Sequence, residues 1–342
     1  MEGEEVNQEE EETNEAEDFK VFRPLLKKIQ NLVKKFSTSV LAKEELAKHS
    51  RLTVVKDCPT RWWTKLDQIM RMQEIYKENR MAIRNVCKAR EWKQEIDLND
   101  EDLILLDLFV DFFEDFRSKS DTLGGQKLSN IHLTFVYTKD LQHHIESYFE
   151  HEVLGNFSRR FYHIFTKQFQ FILKPDSPDF QPIFVATSLL SPLYFNCLTT
   201  EEQNEGFTYL LEQLRRIEGP VRPKVIVQNE KKNIDFPGVK HLMLHASNQL
   251  VCKDDLLEKT FQKDKEVLII EASKKLQEVQ VASELSKQIL MKEDPVDYWN
   301  LNKDKYVSKL PVLARNILAI CPSSVSSERM FSVASLLSGG IS

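Results

Sequence analysis

The most informative stretch of the sequence is C-terminal, from Asp294 to Ser342, and reads DPVDYWNLNKDKYVSKLPVLARNILAICPSSVSSERMFSVASLLSGGIS. Asp294 is a typical N-cap residue, because its carboxylate can accept a free N–H of the first turn. Pro295 follows in the first helical position, where its missing N–H costs nothing. The pair predicts a short helix that carries Tyr298 and Trp299.

Two more helices are predicted in the same stretch. One begins at Pro311, has apolar residues at helical spacing and is ended by Pro322. Ser323 or Ser324 caps the other, which carries Phe331. Because short amphipathic helices cannot hold a core alone, we expect all three to pack on another part of a protein.

In order, these segments match most of the pattern D-P-x-x-W-W, P-x-L-x-x-L-A-R-x-x-L-x-I and S-S-x-x-S-E-R-x-F-S-x-A-G. The chain therefore resembles the C-terminal dimerisation region of hAT-superfamily transposases and of the BED-type zinc-finger proteins derived from them. It departs from the pattern at Cys321-Pro322, in a shifted Pro311, and at Ser335 where the family has Gly. The resemblance predicts that residues 294–342 are a truncated dimerisation region.

The residues expected to carry dimerisation lie in helices too short to bury them, and aromatic residues of this kind are enriched in interface cores. They are Tyr298, Trp299, Leu313, Ile317 and Phe331. The resemblance implies a dimer, formed by the chain with itself or with related hAT-derived proteins. The alternative is that the same residues pack internally against a long helix expected from about Asp254 to Lys292, which would give a monomer.

Composition bounds the class of protein. The 342 residues are 41% hydrophobic without an apolar run near 18 residues, and the five cysteines lie far apart, which favours a reduced, intracellular protein without a membrane partner. Nine glycines and few alternating β-branched runs favour a mainly α protein. The net charge is −6, but residues 1–18 hold ten acids and no base, so the rest is mildly basic.

The predicted order is an acidic, disordered tail at 1–18, a helical domain at 19–218, a linker or loop at 219–236 and a long helix region at 237–293. A first amphipathic helix begins at Phe19, and others are expected near 64–90, 101–122, 130–150, 153–173 and 200–218. The lysines on the outer side of the first helix indicate either a solvated face or a phosphate-binding face: Lys20, Lys27, Lys28, Lys34 and Lys35. The resemblance implies a multi-helix bundle equivalent to the insertion domain of a hAT transposase, followed by a C-terminal helical remnant of the RNase H-like domain.

A second motif, DCPTRWWT at residues 57–64, is similar to the D-x-x-T-R-W-N-S motif of hAT proteins. Thr60 can cap a helix whose first residues are Arg61 and Trp62. The indole could stack on an unpaired base while Arg61 holds a phosphate, as the family resemblance implies for active transposases. The alternative is a buried Trp that anchors the helix, which is favoured by the bulky Trp63 in place of the family's Asn.

A third, weaker match, FVATSLLSPLY from Phe184 to Tyr194, is similar to the family's A-x-x-L-D-P-R-x-K segment. Ser191 replaces its Asp and Leu193 its Arg, so a surviving ionic site is not expected here.

The catalytic machinery of such a transposase needs three carboxylates that hold two metal ions. By motif position, Glu328 is a vestigial match to the third, and the chain lacks the segment in which the family carries the first two, as well as the BED finger. No cysteine and histidine spacing indicates a metal site, and no cofactor or small-molecule substrate is indicated. The sequence therefore predicts a protein that is not an enzyme.

Two functions of different class remain. The first is a non-catalytic hAT-derived protein, nuclear or else cytoplasmic, that dimerises through its C-terminal region. The alternative is a nucleic-acid-binding transposase remnant that uses Arg61, Trp62 and its basic helix faces. Affinity for nucleic acid that falls steeply with salt would distinguish the second from the first.

Overall fold

The structure is a computed structural model that describes residues 22–55, 64–92, 97–124, 130–218, 237–283, 286 and 293–320, with the backbone alone at 64, 218 and 237–254. Within these ranges the chain forms thirteen α-helices and two 3-10 turns and no strand, which confirms the mainly α prediction.

The helices of the N-terminal half are α1 (Arg23–Thr38), α2 (Val40–Ala47), α3 (Thr64–Glu78), α4 (Ala82–Ala89), α5 (Asp100–Leu123), α6 (Ile131–Ser147) and α7 (Gly155–Gln168). Those that follow are α8 (Gln170–Leu173), α9 (Ile183–Leu189), α10 (Thr200–Glu218), α11 (Pro237–Val281), α12 (Pro295–Leu301) and α13 (Leu310–Leu318). The 3-10 turns are Phe195–Cys197 and Lys303–Lys305.

Most predicted helices lie where the periodicity put them, and the differences have local causes. The segment expected to be helical over 64–90 forms two helices, because a turn between Glu78 and Ala82 interrupts the helix. Ser39 starts a separate helix, since its hydroxyl accepts the N–H of Ala42 as an N-cap. The long helix begins at Pro237, well before Asp254, and Pro311 is its helix's second residue rather than its first.

The described chain divides into two compact units. The first comprises the described residues within Met1–Gly124 and Asp140–Gln168, and the second those within Gly125–Lys139 and Phe169–Ser323. This grouping differs from one continuous domain at 19–218, because residues 169–218 pack with the C-terminal helices: α10 contacts both α11 and α13, and α9 contacts α13. The linker expected at 219–236 and the acidic tail at 1–18 lie outside the described residues.

The first unit has an aromatic core. Helix α5 supplies Phe112, Phe113 and Phe116, which meet Phe157 and Phe161 of α7. Phe22, next to the start of α1, packs edge-on against Phe109 of α5 at 5.1 Å between ring centroids. Such edge-to-face contacts stabilise the core beyond the area they bury. The Asn99 side chain starts α5 with a capping box, which it completes with Asp102.

In the second unit the long helix α11 presents one apolar face to its neighbours. The buried residues of this face recur every three or four positions: Leu257, Phe261, Asp264, Leu268 and Ala272. Phe207 of α10 meets Phe261 edge-on, and the amide of Asn196 donates to the carbonyl oxygen of Ala272. This face supports the loop that joins α12 to α13.

The C-terminal helices as the candidate functional site

Helix α12 starts as the sequence predicts. Asp294 Oδ1 accepts the N–H of Val296 at 2.8 Å, and Pro295 is buried in the first turn. The cap fixes where the helix begins, so the side chain of Trp299, four residues after Pro295, has a defined direction.

The Trp299 side chain is the anchor of this helix. It has no exposed surface, and its Nε1–H donates to the carbonyl oxygen of Leu190 at 2.7 Å. The ring lies 4.7 Å from the ring of Tyr306 and 5.4 Å from that of Tyr298, measured between centroids. A buried indole needs a partner for its N–H, and Leu190 supplies it.

Leu190 follows α9, inside the segment Phe184–Tyr194 that matched the family only weakly. The hydroxyls of Thr187 and Ser188 are fully buried and donate to the carbonyl oxygens of Ile131 and His132, at 3.3 and 2.7 Å. These bonds tie α9 to the start of α6. The segment Phe184–Tyr194 therefore provides the buried carbonyl oxygen to which Trp299 is hydrogen-bonded.

The loop between α12 and α13 is fastened to α11 by a buried carboxylate. Asp264 has no exposed surface, and its two oxygens accept the backbone N–H groups of Val307 and Ser308, at 2.6 and 2.9 Å. Burial of a charge is costly unless such bonds compensate for it. Two residues before Val307, Lys305 also contacts α11, where it forms an ion pair with Glu271 at 2.9 Å.

Two tyrosines complete the contact. The hydroxyls of Tyr298 and Tyr306 are hydrogen-bonded at 2.7 Å. Burial raises the pKa of Tyr298 to about 12, against the lowering effect of the Tyr306 bond, and burial also raises the pKa of Tyr306. Hydrogen bonds from Lys274 and then Lys305 lower the pKa of Glu271. Because the pKa values of Tyr298 and Tyr306 are both raised, both phenols stay neutral over the physiological range.

Helix α13 packs on α12 and has two sides. Leu313 and Ile317 face inward and are 5% and 6% exposed. Val312 faces outward and is 42% exposed. Arg315 lies at the edge between the helices, where its Nη1–H donates to Asn300 Oδ1 of α12 at 3.2 Å.

The structure brings four of the five predicted dimerisation residues together. Trp299, Leu313 and Ile317 are buried within the second unit and Tyr298 is half-buried, and the N–H of Trp299 is bonded to Leu190 rather than to the long helix named in the alternative. Their role in dimerisation stays a prediction. Phe331, the vestigial Glu328, and the possible DNA contacts Arg61 and Trp62 lie outside the described residues.

Asp264 and the carbonyl of Leu190 were not predicted as parts of this site. A signal for Asp264 exists in the sequence, because it is the one acidic residue among the apolar positions of its helix face, between Phe261 and Leu268. A charged residue at such a position is buried only with partners. The Leu190 carbonyl carries no sequence signal, since every residue has one.

Two other kinds of feature are absent from the described residues. Among them, no group of three or more histidine, cysteine, aspartate or glutamate side chains is arranged to hold a metal ion. In the same residues, no helix has the length and apolar character to cross a membrane.

Comparison with known proteins bears on this same region. No curated protein matches the chain. Residues 271–338 match the family model described as the hAT family C-terminal dimerisation region. The match begins near the end of α11, at the residue that pairs with Lys305, and it includes all of α12 and α13. The candidate site is therefore similar to the region through which hAT family proteins dimerise.

Proposed function

We propose that this protein is a hAT-derived protein that forms a dimer through residues 294–342. The observation that carries the proposal is the family match at 271–338, a dimerisation region by its description. The partner is a second copy of the chain or a related hAT-derived protein.

The geometry of the site supports a role in association. Two contacts hold α12 and α13 in one arrangement within a single chain. Trp299 donates a hydrogen bond to the carbonyl oxygen of Leu190, and Asp264 accepts backbone N–H groups of the loop that joins the two helices. A surface that is already ordered loses little conformational entropy when it binds. Such preorganisation favours recognition of a partner by the outer sides of these helices.

The proposal includes two further points. We propose that the protein is not an enzyme, because the sequence offers one vestigial match, Glu328, to the three carboxylates that hold two metal ions in DDE chemistry. It acts in the nucleus. Incubation with supercoiled DNA and Mg²⁺ tests the first point, since a nicked product that Glu328→Gln abolishes would contradict it, and fluorescence microscopy of a tagged full chain tests the second.

The decisive experiment is light scattering on the purified full chain over a series of concentrations. A dimer has twice the chain mass of 40.0 kDa, and its population rises with concentration. An obligate interface of about 2,000 Å² or more would keep the dimer intact at low concentration. A mass that stays at 40.0 kDa throughout the series contradicts the proposal.

A second candidate function is nucleic-acid binding, and one observation favours it. Arg23, Lys27 and Lys34 lie exposed on one side of α1, whereas Lys28 pairs with Asp102 and Lys35 lies over the ring of Trp92. Mobility shifts at two salt concentrations test it, with Lys27→Gln/Lys34→Gln against Lys303→Gln as a control in the other unit. Binding that is equally strong at both salt concentrations, or insensitive to the α1 changes, contradicts a phosphate-binding role for this face.

A further inference from the structure

The outer side of α13 is unusually poor in charge for a helix side exposed to water. From Leu310 to Ile320 the sequence LPVLARNILAI contains one charged residue, Arg315. That residue is engaged with Asn300 and with the carbonyl oxygen of Pro311. Large apolar side chains are nevertheless in contact with water here: Val312 is 42% exposed and Ile320, just after the helix, 45% exposed, with the exposed Asn316 between them in the sequence.

Helix α12 adds to the same surface. Leu301, at its last position, is 83% exposed. It follows Asn300, whose side chain accepts the hydrogen bond from Arg315, and α12 packs on α13. Leu301, Val312 and Ile320 form what we term the α12–α13 outer surface. Exposed apolar residues grouped in this way mark interaction sites.

We infer that the α12–α13 outer surface is the contact with a second copy of this chain, and that Trp299, Leu313 and Ile317 act only by holding this surface in place. The inference rests on the proposed function and specifies its interface. It reassigns the contact from residues that are already buried in one chain to residues that are not.

The chemistry of the surface favours a second copy over other partners. Its three members carry no charge, so two copies of the same surface can meet about a two-fold axis without like-charge repulsion. Nucleic acid would require cations, and none of the three members is one. All three members also lie within residues 271–338, the span similar to a dimerisation region.

Val312→Lys and Leu301→Lys in the full chain test the inference. Each puts a charge into an apolar contact while leaving the buried side of its helix unchanged. We expect each to raise the dimer dissociation constant about 30-fold or more, as for loss of an interface anchor, measured by sedimentation equilibrium. The control is Ile104→Lys, an equally drastic change at a side chain that is 63% exposed on α5 in the other unit, which should leave the constant unchanged.

The outcomes are separable. If the unsubstituted chain is a monomer at every concentration, the proposed function fails and the inference with it. If the unsubstituted chain dimerises and both lysine variants dimerise as well as it does, the inference alone is overturned. The same holds if Ile104→Lys weakens the dimer equally. Circular dichroism checks folding, and where a lysine variant loses helicity, the double truncation Val312→Ala/Leu301→Ala decides by the same criterion.

Discussion

The aromatic core of the first unit and the C-terminal helices of the second bury their residues equally well but hold them differently. Phe112 lies among four phenylalanine rings at 5.0 to 5.9 Å between centroids: Phe113, Phe116, Phe157 and Phe161. Each contact is weak and none is unique, so the core depends on volume and shape.

The C-terminal helices depend instead on a few directional bonds. Trp299 donates to one carbonyl oxygen, and Asp264 accepts two N–H groups. Removal of one partner leaves a buried polar group without a bond, which costs more than the bond contributes. The first unit should therefore tolerate changes of side chain that keep volume, whereas the candidate site should not.

The largest effect is expected from Trp299→Ala. The change removes a fully buried indole and leaves the carbonyl oxygen of Leu190 without its donor. We expect the free energy of unfolding to fall by about 3–5 kcal/mol, measured by urea denaturation. Since the ring seats α12, the variant should also lose dimerisation.

Two matched variants break this effect into its parts. Trp299→Phe keeps an aromatic ring but removes the N–H, and we expect it to cost about 2–3 kcal/mol. Phe112→Leu, a similar reduction in the aromatic core, should cost about 1–1.5 kcal/mol, because no polar group loses a partner. Equal losses in the two variants would contradict the distinction between directional and shape-dependent packing.

Asp264→Asn should have the next largest effect. The amide oxygen can accept one of the two N–H groups, but the amide nitrogen then faces the other, so one backbone N–H loses its bond to the buried side chain. We expect a loss of about 1–3 kcal/mol in the free energy of unfolding. The control is Asp255→Asn on the same helix, where the side chain is exposed and the change should stay within about 0.5 kcal/mol.

Local sequence signals predicted much of this architecture. The caps and prolines gave the start of α12 at Asp294 and Pro295, and the apolar spacing gave α5 almost to the residue. These signals act within one or two turns, where the sequence alone determines which groups can meet. The apolar pattern also predicted that Leu313 and Ile317 need to be buried.

What buries them depends on distant contacts that no local pattern encodes. The bond from Trp299 to Leu190 spans 109 positions, and the bonds from Asp264 to Val307 and Ser308 span 43 and 44. The sequence therefore left the choice between a partner chain and an internal partner open. The internal contacts come from Leu190, whose carbonyl oxygen accepts the N–H of Trp299, and from Asp264 of α11, which holds the loop before α13.

The smallest effect concerns the Tyr298–Tyr306 pair and its dependence on pH. The pKa of Tyr298 rises from 10.0 to about 12 in the folded chain, mainly because of burial. A raised folded pKa means that the stabilisation is fully present below pH 10 and is lost as pH rises to about 12, because the unfolded chain ionises first.

Tyr298→Phe removes both the titrating group and the 2.7 Å bond to the Tyr306 hydroxyl. Below pH 10 the variant should be less stable than the unsubstituted chain by about 1 kcal/mol, the net contribution of one hydrogen bond. Between pH 10 and about 12 this difference should shrink, because only the unsubstituted chain loses the contribution of Tyr298. Lysines that titrate in the same range affect both proteins alike, so the difference between their urea midpoints isolates the tyrosine. A difference that stays constant across this range would mean that Tyr298 ionises equally easily in the folded and unfolded chains, and that this side of the candidate site is open to water.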